Sequence, residues 1–314
     1  KRKISKLLQH AFAVLTLLTG TLPTQAAART SVSQTAKSSF TVTNKKTHSG
    51  KGQASSSSSG TWKTIKGHHY YYNARGKKVK GKVKIGSRYY FFDKNGIQRY
   101  GWKKIKNNYY FFRISTGTTG AYMLTSTTIN GIALDASGRA SKSGSNLRKL
   151  KLMTEANKIV EKISRPGMNK MQRLRASFDY VKKQYTYYCW REFRNTQDWE
   201  KDFAEDMFFR GGRGDCVSYA AAFAYLANAV GMKKSLCNLP GGHGWAEIGG
   251  KVYDPDWALV SSVDSYFAMS YDLSGVNGRP MYRGNRLYVK RSEYITKKDL
   301  KSGIQYCLRF QILL

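Results

Sequence analysis

Apolar residues along this chain follow three rhythms, and each predicts a different kind of element. Between residues 62 and 121 short aromatic runs return every 20 residues, at Tyr70–Tyr72, Tyr89–Phe92 and Tyr109–Phe112. Ile65, Ile85 and Ile105 hold one place in each unit, and Asn73 and Asp93 precede Gly76 and Gly96 by three residues. Ile129 to Asp135, with Gly138, repeats the pattern in degenerate form. An aromatic strand followed by a polar glycine turn predicts a small β-hairpin per unit. One hairpin buries too little to stand alone, so the units are expected to stack as a short solenoid.

From about residue 150 the spacing changes. Leu152, Ala156, Ile159, Val160 and Ile163 fall on one helical face, ended by Pro166-Gly167, and Met171, Leu174, Ala176, Phe178 and Val181 predict a second helix. Cys216 to Val230 is apolar nearly all round. Asp215 before it can cap and Gly231 after it can take the left-handed conformation, so a central buried helix is expected there. Residues 241–257 read as a hairpin turning at Gly249-Gly250. A two-residue turn sets Asp254 opposite Trp245 and makes His243 and Asp254 diagonal neighbours, roughly 7–8 Å apart at the backbone.

Length and charge refine this picture. The 314 residues leave room for about two domains. The net charge is +35, but residues 1–150 hold 28 Lys and Arg against two acids, Asp93 and Asp135, whereas residues 151–314 hold 26 against 17. So abrupt a change marks two regions with different work. Collagen, coiled coil and multispan membrane proteins are excluded by composition. Basic Lys1, Arg2, Lys3 and Lys6, an apolar stretch from Ala11 to Leu18 and Ala26-Ala27-Ala28 read as a signal peptide over 1–28, too short for a stable membrane anchor. Residues 29–60, with the serine run 55–59, read as a disordered Ser/Thr/Lys-rich tether. The expected organisation continues with hairpin repeats over 61–140, a linker over 141–150, a catalytic domain over 151–298 and a tail over 299–314.

The candidate chemistry lies in the second region. Cys216 is expected in the first turn of the buried helix, where backbone N–H groups and the positive helix end favour a thiolate and lower the thiol pKa. His243 is placed to activate it, and Asp254 to fix the imidazole tautomer. Asp256, on the same strand face as Asp254, is a substitute orienter. Cys189, Cys237 and Cys307 permit a disulfide in an oxidising exterior, with the pairing open. No Cys-x-x-Cys spacing occurs, so no metal and no cofactor are predicted.

Two resemblances follow from these motifs. Gly214-Asp215-Cys216 with Tyr219-Ala220, His243-Gly244-Trp245 and Asp254-Pro255 resemble, in order and spacing, the core of the transglutaminase-like superfamily. The resemblance implies an α+β fold with a papain-like core, Cys216 as nucleophile, His243 as base and acid, and Asp254 as orienting carboxylate. It also implies an oxyanion donor upstream of the cysteine, for which Gln184, Tyr187 and Trp190 are candidates. Gly244 stands where the family usually has Ala, and Asp256 where it usually has Thr.

The repeats resemble the choline- and glucan-binding repeats of secreted Gram-positive proteins. Trp62, Tyr71, Tyr90, Trp102 and Tyr110 are the expected wall-polymer residues, although most repeat aromatics are expected to pack hairpin on hairpin. The implied partners are an anionic or carbohydrate wall polymer and a protein or peptide substrate. Nucleic acid is not an expected partner, because an exported chain meets wall polymer first. The functional expectation is a secreted, wall-associated thiol enzyme acting on amide bonds through a thioester, by transamidation or by hydrolysis as a peptidase or deamidase. The alternative is a catalytically silent adhesin or scaffold.

Overall fold

The structure is a computed structural model that describes residues 60–115, 117–192, 198–232, 243–261 and 266–273, and the backbone of 236–238. The expected signal peptide, almost all of the tether, and the C-terminal tail lie outside the described residues.

Four antiparallel hairpins open the described chain: β1 (Thr61–Ile65) with β2 (His68–Tyr72), β3 (Gly81–Ile85) with β4 (Arg88–Phe92) and a short β5 (Gln98–Arg99), β6 (Gly101–Ile105) with β7 (Asn108–Phe112), and β8 (Thr127–Ile129) with β9 (Ile132–Leu134). Tight two-residue turns join the strands. Lys66-Gly67 and Asn130-Gly131 have positive φ at both residues, the mirror-image turn that matches strand twist. The loops leaving the first, second and fourth hairpins share one hydrogen-bond pattern. Asn73 Oδ1 accepts from the N–H groups of Arg75 and Lys77, Asp93 Oδ1 from those of Asn95 and Ile97, and Asp135 Oδ1 from those of Ser137 and Arg139. Gly76, Gly96 and Gly138 then take φ between 69° and 78°, which an L side chain rarely adopts. The Asx-x-x-Gly spacing of the sequence is therefore the signature of this loop.

The helical region follows as α1 (Asn146–Ile163), α2 (Lys170–Gln184), β10 (Thr186–Tyr187), α3 (Trp199–Phe208), β11 (Arg213–Gly214) and α4 (Cys216–Val230). It closes with β12 (Leu236–Asn238), β13 (Trp245–Ile248), β14 (Lys251–Tyr253), a short α5 (Trp257–Val260) and β15 (Phe267–Met269). Strands β12, β13, β14 and β15 form one antiparallel sheet in that order. Every residue of α4 except Asn228 is buried, and the helix packs against α1, α2, α3 and the sheet. This is the all-round apolar helix expected from its sequence. Gly231 closes it at φ 87°. Helix α2 starts on a capping box between Asn169 and Gln172. Its expected face is buried at Leu174, Phe178 and Val181, whereas Met171 is exposed.

The hairpins and the helices share a core. Trp102, Tyr109, Phe111, Ile132 and Leu134 lie in one buried cluster with Leu150, Met153 and the α4 residues. A Cβ at Gly101 would lie 1.6 Å from Asn157 Oδ1 of α1, so the third hairpin reaches this contact only with glycine there. Lys103 pairs with Glu161 of α1, and Arg173 of α2 donates to the Tyr100 hydroxyl. Helix α1 begins at Asn146, within the segment read as a linker.

Candidate active site

The site is assembled from two ends. Asp215 Oδ1 accepts the Ser218 N–H at 3.0 Å, the N-cap bond that starts α4, and this makes Cys216 the first helical residue. The parallel pair of β10 and β11 sets Tyr187 beside Gly214, just ahead of the cysteine. From the other side, the β13–β14 register pairs Ala246 with Tyr253 and Ile248 with Lys251 across the Gly249-Gly250 turn. His243 and Asp254 thus stand at the same end of the hairpin, and His243 Nε2 lies 2.6 Å from Asp254 Oδ2. Asp254 is fully buried, and its Oδ1 accepts the Trp257 N–H at 3.0 Å, capping α5. The ring of His243 stacks on Trp245 and meets Trp257 edge-on, each at 6.2 Å between centroids.

The structure brings Cys216, His243 and Asp254 together. The Cys216 sulfur, a ring nitrogen of His243 and a carboxylate oxygen of Asp256 all lie within 4.8 Å of one another. This trio is also the described set nearest to what a divalent ion would need. Asp254 takes the orienting position on Nε2, so Asp256 is not the orienter; it lies on the nucleophile side.

Gly244 explains one departure from the family motif. A Cβ there would sit 2.7 Å from Val217 Cα and 3.0 Å from Val217 N, so the alanine usual at this position does not fit. The close approach lets the Gly244 backbone N–H donate to the Cys216 sulfur.

The electrostatics differ from the expectation of a lowered thiol pKa. Burial pushes the Cys216 thiol well above its ordinary value, and the Asp215 and Asp256 carboxylates push the same way. The Gly244 N–H opposes them only in part. Burial also pulls the His243 imidazole down, but Asp254, and behind it Asp256 and Asp215, outweigh that, and the net shift is upward. Burial lifts Asp256 to about 7, helped by Asp254 and opposed by His243. Asp215 rises to about 6 through burial, against its hydrogen bonds from Ser218. Around the sulfur, burial and the neighbouring carboxylates thus favour the neutral thiol over the thiolate.

The three oxyanion candidates separate. Gln184 is exposed at the end of α2. Trp190 is 48% exposed, and its indole N–H donates to Arg213 O at 3.3 Å. Tyr187 is the one of the three shown to feel the Cys216 and Asp256 charges. Burial raises its phenol, and Cys216 and Asp256 are the next contributors, so the hydroxyl stays protonated. Tyr219 enters the sequence analysis only as a motif residue, but it lies three residues after Cys216 and so on the same helix face, a signal that could have placed it near the site. Its side chain is fully buried, its Oη has no hydrogen-bond partner, and Asp256 is the charge acting on it. Cys189 is disulfide-bonded and Cys216 is free. Cys307 and the Cys237 side chain lie outside the described residues.

Of the expected wall-polymer residues, Trp62 and Tyr71 are half-buried, with ring centroids 5.2 Å apart. Tyr90, Trp102 and Tyr110 are buried, at 4%, 2% and 7% exposure, and their faces are not open for stacking on a polymer. They pack internally, as was expected for most of the repeat aromatics. Trp102 also donates its indole N–H to Asn130 Oδ1. Lys82 places its ammonium 4.3 Å from the Tyr110 ring centroid and 5.1 Å from that of Tyr89, so the chain's own cation occupies that aromatic pair.

Comparison with known proteins divides the chain the same way. Residues 58–96 match the choline-binding repeat, and residues 157–254 match the transglutaminase-like superfamily. Similar solved structures include choline-binding protein F from Streptococcus pneumoniae with a peptidoglycan analogue, at 21% identity over 26% of this chain and 26% of that chain, TM-score 0.23. The choline-binding domain of Spr1274 in Streptococcus pneumoniae matches at 23% identity over 26% of this chain and 93% of that chain, TM-score 0.23. A pneumococcal cell-wall endolysin from phage Cp-1, complexed with choline, matches at 21% identity over 28% of this chain and 27% of that chain, TM-score 0.23. The matched part is thus about a quarter of the length of choline-binding protein F and of the endolysin. No curated protein matches the chain. The fold is α+β, with β-hairpin repeats similar to those of choline-binding domains followed by a transglutaminase-like region. Among the described residues no helix is long and apolar enough to cross a membrane.

Proposed function

We propose that the protein is a secreted, wall-associated thiol enzyme that acts on amide bonds of proteins or peptides through a thioester at Cys216. The observation that carries this reading is the meeting of Cys216, His243 and Asp254 from two separate segments, with His243 held at 2.6 Å by a buried carboxylate. His243 takes the thiol proton as the sulfur attacks the amide carbonyl, and Asp254 stabilises the resulting imidazolium. The Tyr187 hydroxyl and the Cys216 backbone N–H are the groups left to hold the oxyanion, since the Val217, Ser218 and Tyr219 N–H groups are taken by Asp215. His243 then protonates the leaving amine and the acyl group remains on sulfur. Water resolves this thioester to a carboxylate, and an amine resolves it to a new amide.

The repeats support retention at the wall. The peptidoglycan analogue and choline bound by similar proteins make a wall polymer the expected partner. Of the five residues expected to meet it, Trp62 and Tyr71 on the first hairpin are the two that stay partly open.

The test is incubation of the full chain with wall fragments and a glutamine-containing protein, with and without a labelled amine, read by mass spectrometry. Ammonia loss, cleavage or label incorporation is expected, and none with Cys216→Ala. If wild type shows no product, and Cys216 alkylates no faster than an unfolded cysteine, the chain is a catalytically silent adhesin.

A further inference from the structure

The reading above leaves open what resolves the thioester, and the charge pattern around the sulfur bears on that choice. In a chain of net charge +35, the charged side chains acting most strongly on both Cys216 and His243 are three carboxylates, Asp215, Asp254 and Asp256. Two of them are committed: Asp215 caps α4, and Asp254 holds His243 and the Trp257 N–H. Asp256 has no such duty. Among the described residues no hydrogen bond reaches its side chain, although its carboxylate lies within 4.8 Å of both the nucleophile and the base. It is only half-buried, so a substrate group can reach it.

A carboxylate there disfavours formation of the thiolate, and so does nothing for the attacking step. What it offers is a counter-charge and a proton acceptor beside the acyl carbon. The Tyr219 hydroxyl, which has no hydrogen-bond partner and feels Asp256 most among charged groups, is sealed from a substrate and leaves that work to Asp256. Water is neutral, so it needs no counter-charge, and His243 serves as its base. A protonated amine needs both services of Asp256, because it carries a charge to be paired and must lose a proton before its nitrogen can attack.

We propose that Asp256 docks the ammonium group of a primary-amine acyl acceptor against the Cys216 thioester and removes the first of its protons, which favours aminolysis over hydrolysis. The ammonium gives one proton to the Asp256 carboxylate. The freed amine attacks the thioester carbonyl, the C–N bond forms, and neutral His243 takes the second proton. The C–S bond then breaks and His243 returns that proton to the sulfur. Asp256 releases its proton to solvent. The balance is thioester plus ammonium giving amide, thiol and one proton.

The experiment uses the full chain with one glutamine peptide as acyl donor and two competing acceptors. n-Butylamine is charged at neutral pH; hydroxylamine is neutral. In Asp256→Asn the ratio of butylamide to hydroxamate product should fall at least about tenfold relative to wild type, and Asp256→Glu should restore part of it. An unchanged ratio overturns the inference, as does a defect confined to the ammonia burst of acylation. In wild type, KM for n-butylamine should lie well below that for an O-alkylhydroxylamine of equal length, and equal values overturn the inference without any variant. Wild type that forms no hydroxamate at all sinks the thioester reading itself, and the inference with it.

Discussion

The first and third hairpins are copies of one repeat, yet they live in different surroundings. Trp62 and Trp102 occupy the same place in their units, 40 residues apart. Trp62 is half-buried against Tyr71, Tyr90 and Phe92, all rings of the hairpin array. Trp102 is 2% exposed, stacks edge-on with Phe111, and shares a core with α1 and α4. Strand β1 is exposed at four of its five positions, whereas the first three residues of β6 are buried. The same motif thus serves as outer surface in one copy and as domain core in the other. The repeat array runs into the helical region without a break, and the later hairpins are needed to cover α1.

The largest effect should come from Cys216→Ala, which tests whether the two regions divide binding from chemistry. Acyl transfer should fall to background while pelleting with purified walls stays at the wild-type level; loss of both would tie the two regions together. Asp254→Asn should follow, with a rate loss of about 10³–10⁴-fold. Its pH profile carries a sign. The carboxylate holds the imidazole above its ordinary 6.5, while burial alone pulls it below. The rising limb of rate against pH should therefore lie above 6.5 in wild type and move down in the variant. A limb that stays in place would show that Asp254 does not set the imidazole.

The tryptophan pair measures the comparison directly. Trp102→Ala should cost about 3–5 kcal/mol in urea unfolding, the range for a buried aromatic. Trp62→Ala should cost less than about half of that, since the ring keeps an open side. Equal losses would erase the distinction between outer and inner hairpins. Trp62→Ala with Tyr71→Ala should weaken wall pelleting a few-fold while leaving turnover of a soluble peptide at the wild-type rate. The smallest effect is one of stability. The folded chain raises Asp256 from 3.8 to about 7, so the native state loses stability relative to the unfolded chain as pH climbs through that interval. Asp256→Asn lacks this loss and should melt above wild type beyond pH 7, with the gap closing towards pH 4.

Much of the site was legible before any coordinates. A capping Asp215, an apolar run and Gly231 define α4 locally, because helix ends are set by residues that satisfy orphan N–H and C=O groups. The pairing of His243 with Asp254 follows from the period of a strand and a two-residue turn, and it is observed at 2.6 Å. The Asx-x-x-Gly loops are local hydrogen-bond patterns and read equally well. The thiol pKa did not. A helix N-terminus is visible in sequence, but burial depth and the approach of Asp256 from 40 residues away are not. The choice of Tyr187 over Gln184 and Trp190 was equally hidden, since it depends on β10 pairing with β11.

Periodicity and spacing alone therefore determined the hairpin units, the buried helix and the pairing of His243 with Asp254, because each rests on contacts between near neighbours in the chain. Tertiary structure decided which repeat aromatics are buried, which of two aspartates orients the imidazole, and how tightly the sulfur keeps its proton. Those outcomes depend on what distant segments bring to one place and on how much water they exclude, and neither quantity is written in any local pattern.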